Sequence, residues 1–277
     1  MANVLIRNSE IKELSEKIRK AIDGQKVEFR DNKEGSLSIL KNDIHTLVNI
    51  KNEQLSAVEQ EHALFIEFME NISHQLKTPV TSMMIMADLL QTAAPDKQEE
   101  FIHNIQTSLN RMEWLVGTLL KMAKLDADAI TFDMEKVSVR ALLEAALKPL
   151  AILLEIKNQT TDLRNDLELY CDKRWMSEAL TNLIKNASEH SGDHTCITID
   201  CGENPIYQWI SVTDMGKGIR KEEIARLFTR FEGSGNTSGY GIGLPLALAI
   251  VRRHNGDIDV DCGKEGSGAT FTIKLYK

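Results

Sequence analysis

The sequence predicts an α+β chain: an N-terminal helical hairpin that forms a dimeric four-helix bundle, followed by a two-layer α/β sandwich. Three observations predict it. Apolar or seam-compatible residues at Phe65, Met69, Ile72, Leu76, Pro79, Met83, Met86 and Leu90 alternate four- and three-residue spacings, as in a helix packed against partner helices. A second stripe follows at Ile102, Ile105, Leu109, Met112, Val116 and Leu119. Beyond Leu125 the periodicity changes to short alternating strands set between helices.

Val4 to about Ile22 reads as an amphipathic helix ended by Asp23-Gly24, and Gln25 to Gly35 as a polar, extended or irregular stretch. A helical pattern resumes near Ser36 (Leu37, Leu40, Ile44, Leu47, Ile50, Leu55, Val58) and runs on to about Leu90. Pro79 removes a backbone donor inside that helix and is expected to bend it. Thr92 to Lys97 makes the turn, and a second helix spans about Gln98 to Leu125. A lone hairpin covers one side of each stripe, so a second copy completes the bundle. Strands are expected at 131–134, 166–171, 196–201, 207–214, 258–262 and 269–274, with helices at 139–157, 173–190, 221–228 and 244–254. The domains are then 1–60, a helical linker or signalling coiled coil of HAMP-like character, 61–127, the hairpin, and 128–277, the sandwich.

With 277 residues the chain holds one or two compact domains plus an extended element. A net charge of −8 argues against nucleic acid as a partner. The four cysteines, Cys171, Cys196, Cys201 and Cys262, form no C-x-x-C pair and read as free thiols of a reducing cytosol. Apolar runs such as Leu244 to Val251 are too short to span a bilayer. No signal peptide is visible.

Within the hairpin, His74 stands apart. If Ile72 is a d position, His74 is f and faces water. A neutral imidazole there keeps a lone pair able to attack an electrophile. A solitary helical histidine is ordinarily just a surface residue, and His45, His62, His103, His190, His194 and His254 take that bland reading. The downstream motifs distinguish His74. Asn182 and Asn186 stack at i and i+4 on one helix face, and their amide oxygens suit a Mg²⁺ that already carries phosphate and water. Asp214-Met-Gly216-Lys-Gly218 follows a strand, its carboxylate placed to accept from an exocyclic amine such as that of adenine. The glycine-rich run Gly233 to Gly243 leads into a helix near Leu244, whose free amides favour phosphate. It is neither a P-loop nor a dinucleotide turn. Gly266-Ser-Gly268-Ala-Thr270 enters the last strand and reads by itself as a hairpin turn.

In this order the segments resemble the ATP-binding domain of sensor histidine kinases, the Bergerat-type fold shared with Hsp90, MutL and gyrase. Asn182–Asn186 resembles the N box, Asp214–Gly218, Gly239–Gly243 and Gly266–Gly268 the glycine boxes, and Leu227–Phe231 the F box. His74-Gln-Leu-Lys-Thr-Pro79 resembles the phosphoacceptor H box. The resemblance covers about Glu61 to Lys277. It implies that His74 receives the γ-phosphoryl group of ATP, that Asn186 with Asn182 holds Mg²⁺, and that Asp214 reads the adenine amine. It further implies nucleotide contacts from Gly216, Gly218, Phe231, Gly239, Gly241, Gly243, Leu244 and Thr270, with the glycine-rich run as a lid. Arg230 would touch the transferred phosphate, and Thr78 would orient water during dephosphorylation. The implied partners are a second copy and a response-regulator receiver domain. The implied setting is the cytoplasmic part of a membrane sensor, its membrane segments lying outside this chain.

In the ATPase relatives a glutamate occupies the place of Asn182 and activates water. An amide has no such basicity, which favours phosphotransfer to His74 over hydrolysis. Two departures stand against the family pattern. Gln75 replaces the usual acid; its amide accepts a hydrogen bond from His74 but takes up no proton at ordinary pH. Glu189 replaces a common lysine, leaving Arg230, Lys185 or a lid residue to meet the phosphates, and His190 replaces a common tyrosine. Two alternatives follow: a kinase-impaired scaffold or phosphatase, supported by Gln75, and an ATP-hydrolysing conformational machine, opposed by Asn182.

Overall fold

A computed structural model describes residues 8–22, 25, 27–29, 36–92, 94–231, 241–263 and 268–277. The chain divides into two compact units, Met1–Glu70 and Asn71–Lys277. In the first, α1 (Asn8–Ile22) and the start of α2 (Ser36–Leu90) share a small apolar cluster. Leu14, Ala21 and Phe29 are buried in it, with Ile18, Val27, Leu37, Ile44 and Val48 packed around them. Phe29, 1% exposed, is the anchor within a stretch that reads as polar. The Asp23-Gly24 stop lies outside the described residues.

Helix α2 continues through Pro79. Because proline has no N–H, the Gln75 carbonyl lacks its usual helical donor, while the Thr78 hydroxyl donates to the His74 carbonyl at 3.3 Å. As the seam predicts, Ile72, Leu76, Pro79, Met83, Met86 and Leu90 are half-buried and His74 is exposed, whereas Phe65 and Met69 of the same expected seam are exposed. Helix α3 spans Pro95–Asp126, starting ahead of the expected Gln98 because proline suits the first helical turn, where its missing donor costs nothing. Of its expected stripe, Ile105, Met112 and Leu119 are half-buried, while Ile102, Leu109 and Val116 are exposed. A second row one step round the helix, Leu115, Thr118, Met122 and Leu125, is buried. Its three apolar members join the core of the sandwich.

Strand β1 is Met134–Ser138, not 131–134, and pairs antiparallel with β3 (Glu168–Asp172). The alternation misleads because Phe132 packs edge-on against Trp175 and His254 and belongs to no sheet. The single helix expected over 139–157 is three pieces: α4 (Val139–Leu147), a 3₁₀ turn (Lys148–Leu150) and α5 (Ala151–Ile156). Pro149 causes the break by removing a donor and crowding the preceding turn. The Ser138 hydroxyl caps α4 by accepting from Ala141 N–H at 3.2 Å. A strand the sequence did not suggest, β2 (Thr160–Leu163), lies at the sheet edge, where a short polar segment suffices.

The remaining elements are α6 (Lys173–His190), β4 (Cys196–Glu203), β5 (Tyr207–Thr213), α7 (Lys221–Leu227), α8 (Gly243–Arg253), β6 (Gly256–Asp261) and β7 (Thr270–Tyr276). The five-stranded sheet runs β2-β4-β5-β7-β6, with β2 and β4 parallel and the other pairs antiparallel. Buried and half-buried residues alternate along β4 and β7, the signature of a sheet covered on one face. Helices α4, α6 and α8 form the covering layer. Asp172 ends β3 and caps α6 by accepting from Trp175 N–H at 3.0 Å, so the strand delivers the chain directly into the helix of the paired asparagines. No helix among the described residues is long and apolar enough to cross a membrane.

Candidate functional site

Between α6, α8 and the segment after β5 lies a cleft of about 850 Å³. Asn182 and Asn186 enter it from α6, Asp214 and Gly218 from the segment after β5, and Gly241, Gly243 and Leu244 from the start of α8. The first turn of α8 thus borders the cavity, and the start of a helix, with its unpaired amides, has the polarity that favours an anion. Pro245 at its third position has no amide to leave unsatisfied.

Asn182 is 7% exposed and donates its amide N–H to the Glu178 carbonyl at 2.8 Å. That fixes the flip of the side chain and turns Oδ1 toward α8. A Cβ on Gly243 would sit 2.9 Å from this oxygen, so only glycine leaves the carbonyl open. Two amide oxygens on one helix face, one kept clear by a glycine, fit a hard divalent cation.

Asp214 is 3% exposed. Its Oδ1 accepts from the N–H of Gly216 at 2.7 Å and of Ala269 at 3.1 Å. Oδ2 has no hydrogen-bond donor among the described residues, leaving it to an incoming N–H. Gly268 supports the aspartate from behind at φ +78°, and a Cβ there would meet the Asp214 carbonyl at 1.9 Å. This glycine box thus sets the position of the carboxylate. Ser191, just past α6, accepts from Met215 N–H at 3.2 Å and ties the two motifs together.

Other expected residues are placed differently. Thr270 is paired with Thr213, hydroxyl to hydroxyl at 2.9 Å, and does not line the cleft. Phe231 does line it, and its N–H donates to the Gly241 carbonyl at 2.9 Å. Arg230 does not line the cleft; its guanidinium makes two bonds to Asp126 at the end of α3, at 2.9 and 2.8 Å. Gly239, Gly266 and the lid reading of Gly233 to Gly239 lie outside the described residues. His74, Gln75 and Thr78 are on α2, and none of them lines the cleft. Burial pushes the Cys171 thiol up to about 12 and that of Cys201 to about 11, so neither is a nucleophile near neutrality.

The residue that sequence reasoning missed is Trp114. It reaches the cleft from α3, and the Lys185 ammonium lies 4.4 Å from its ring centroid. Lys185 is also 3.9 Å from Glu189. The signal was present: Trp114 directly precedes the second row of α3, and the spacing of Leu115, Thr118, Met122 and Leu125 is as regular as that of the first stripe.

Family models match two stretches of this chain. Residues 66–128 match the His Kinase A (phospho-acceptor) domain, and residues 171–277 match the histidine kinase-, DNA gyrase B- and HSP90-like ATPase. The chain belongs to the sensor histidine kinases of two-component systems, of which it carries the phosphoacceptor and ATP-binding domains. It is 31% identical over 227 residues to the sensor protein SrrB of Staphylococcus aureus, covering 76% of this chain and 38% of that protein. It thus spans well under half the length of the curated relatives it matches. Among solved structures, the histidine kinase AdeS of Acinetobacter baumannii superposes with a TM-score of 0.62 at 24% identity, over 73% of this chain and 97% of that one. The histidine kinase ThkA, solved in complex with the response regulator protein TrrA, also gives 0.62, at 20% identity over 82% and 66%. At those identities the likeness is one of fold.

Proposed function

We propose that this chain transfers the γ-phosphoryl group of Mg-ATP to His74, and from there to an aspartate of a response-regulator receiver domain. The observation that carries the reading is the convergence of Asn182, Asn186 and Asp214 on one cleft at the start of α8, in a chain whose His74 is exposed. Asp214 Oδ2 accepts from the adenine amine. The first turn of α8 faces the phosphates, and Asn186 with Asn182 holds Mg²⁺. Mg²⁺, when bound, offsets phosphate charge and aligns the terminal group. A ring nitrogen of His74 attacks the γ-phosphorus, the bond to the β-phosphate oxygen breaks, and ADP leaves. The proton on the other ring nitrogen passes to solvent, since Gln75 accepts a hydrogen bond but no proton.

The exposed rows on α2 (Met84, Ile85, Leu89) and α3 (Ile102, Leu109, Val116) support assembly as a homodimer. Thr78, one helical turn from His74 on α2, would orient water for dephosphorylation of the regulator. The setting proposed is the cytosolic portion of a membrane sensor.

Incubation with Mg²⁺ and γ-labelled ATP tests this. Acid-labile, alkali-stable label is expected on the wild-type chain and none on His74→Ala; equal label on both would end the proposal. One observation favours a second reading, a kinase-impaired phosphatase or scaffold: Gln75 stands where a base would be useful. If that proton limits the rate, Gln75→Glu accelerates label uptake by as much as about 10²–10⁴-fold. An unchanged rate would show that the amide is sufficient.

A further inference from the structure

Lys185 is the side chain in the cleft whose present contacts and future ligand compete. It lies one residue before Asn186 and three after Asn182, so its ammonium projects from the stretch of α6 that faces the nucleotide phosphates. Its ammonium now lies over the ring of Trp114, 4.4 Å from the centroid, and 3.9 Å from the Glu189 carboxylate. Trp114 belongs to α3, the helix whose buried row and ion pairs attach the hairpin to the ATP-binding domain. Beside it Lys121 reaches Glu178 at 2.8 Å. Further along, Asp126 holds Arg230, and Arg253 bonds Asp128 and the Leu125 carbonyl.

We infer that Lys185 is a phosphate-binding cation held in reserve on Trp114, so that a polyphosphate entering the cleft draws it off the ring and weakens the hold of α3 on the ATP-binding domain. The inference rests on the ATP-binding reading above. A polyphosphate attracts an ammonium more strongly than a ring face or a single partly exposed carboxylate does, because several anionic oxygens share one site. The coupling is reciprocal: whatever nucleotide does to the α3 contact, loss of that contact does to nucleotide affinity. Trp114 is thus a positioning residue acting through Lys185. It gives the hairpin that carries His74 a sensor of whether the cleft is filled.

Two readouts test it on the full chain, with Mg²⁺ and the β,γ-imido analogue of ATP as the probe. The first is calorimetric affinity. Trp114→Ala should bind about two- to five-fold more tightly than wild type, the strength of a partly exposed cation–π contact. In a Lys185→Met background, which leaves the ring and the buried row of α3 in place, the Trp114 substitution should change affinity no further. The second is tryptophan emission. The other two tryptophans, Trp175 and Trp209, do not line the cleft, so an emission change on titration should vanish in Trp114→Phe. Equal or weaker binding by Trp114→Ala, or an emission change that survives in Trp114→Phe, overturns the inference while leaving the ATP site standing. No binding heat with the wild-type chain overturns both.

Discussion

Along α3, Ile102, Leu109 and Val116 are 44%, 52% and 43% exposed, whereas Leu115, Met122 and Leu125 are 0%, 1% and 2% exposed. The two rows share one helix and a similar apolar character, and they are about a hundred degrees apart around its axis. One row is covered by the ATP-binding domain of its own chain, and the other stays in solvent in a single chain. A helix of the phosphoacceptor hairpin is therefore also a structural part of the sandwich, and its free row is what a second copy would bury.

The sharpest way to break that contrast is to damage the covered side. Phe271, 0% exposed on β7, anchors the sheet. Phe271→Ala should cost about 3–5 kcal/mol of unfolding free energy in urea denaturation. Met122→Ala should cost about 2–5 kcal/mol by the same measurement, despite lying in the hairpin by sequence. A cost near zero would mean that α3 does not unfold together with the sandwich.

The core also contains a titratable joint. His254 is buried, donates from Nδ1 to the Ile250 carbonyl at 2.8 Å and accepts at Nε2 from Asp172 N–H at 3.1 Å. Burial holds its pKa below the ordinary histidine value, so on acidification the unfolded chain takes up this proton first. The contribution is complete above about pH 6.5 and declines as pH falls from there toward the lowered native value. Urea midpoints measured across that window should drop more steeply for wild type than for His254→Gln. Parallel curves would remove His254 from the explanation.

The smallest effect on the stability of a single chain is expected on the free row. Leu109→Glu should change monomer stability by no more than about 0.5 kcal/mol, yet shift sedimentation from dimer toward monomer. An unshifted distribution would show that this row is not the self-association surface.

Much of this molecule was legible in advance because its signals are local. The 4-3 spacing around His74 put the histidine in solvent without reference to any residue outside its own helix. The expected helix at 173–190 matches α6, and the Asp172 cap that starts it was seen only in the structure. Asn182, Asn186, Asp214 and the glycines were found because each motif is defined over a few neighbouring positions. Local pattern failed where the partner was remote or the piece too short. Phe132 alternated like a strand residue while packing on His254, and β2 has only four residues and little apolar content. Pro149 was a local signal too, but the helix was extended across it.

The sequence by itself determined most of the longer elements, the chemistry of the paired amides and carboxylate, and the exposure of His74, since these follow from periodicity and residue type. Only the tertiary structure decided that Arg230 is held by Asp126, 104 residues away, that Gly268 braces Asp214, and that Lys185 lies over Trp114. Such pairs depend on how helices dock and strands register. Those choices are made by burial summed over the whole core, which no short window of sequence contains.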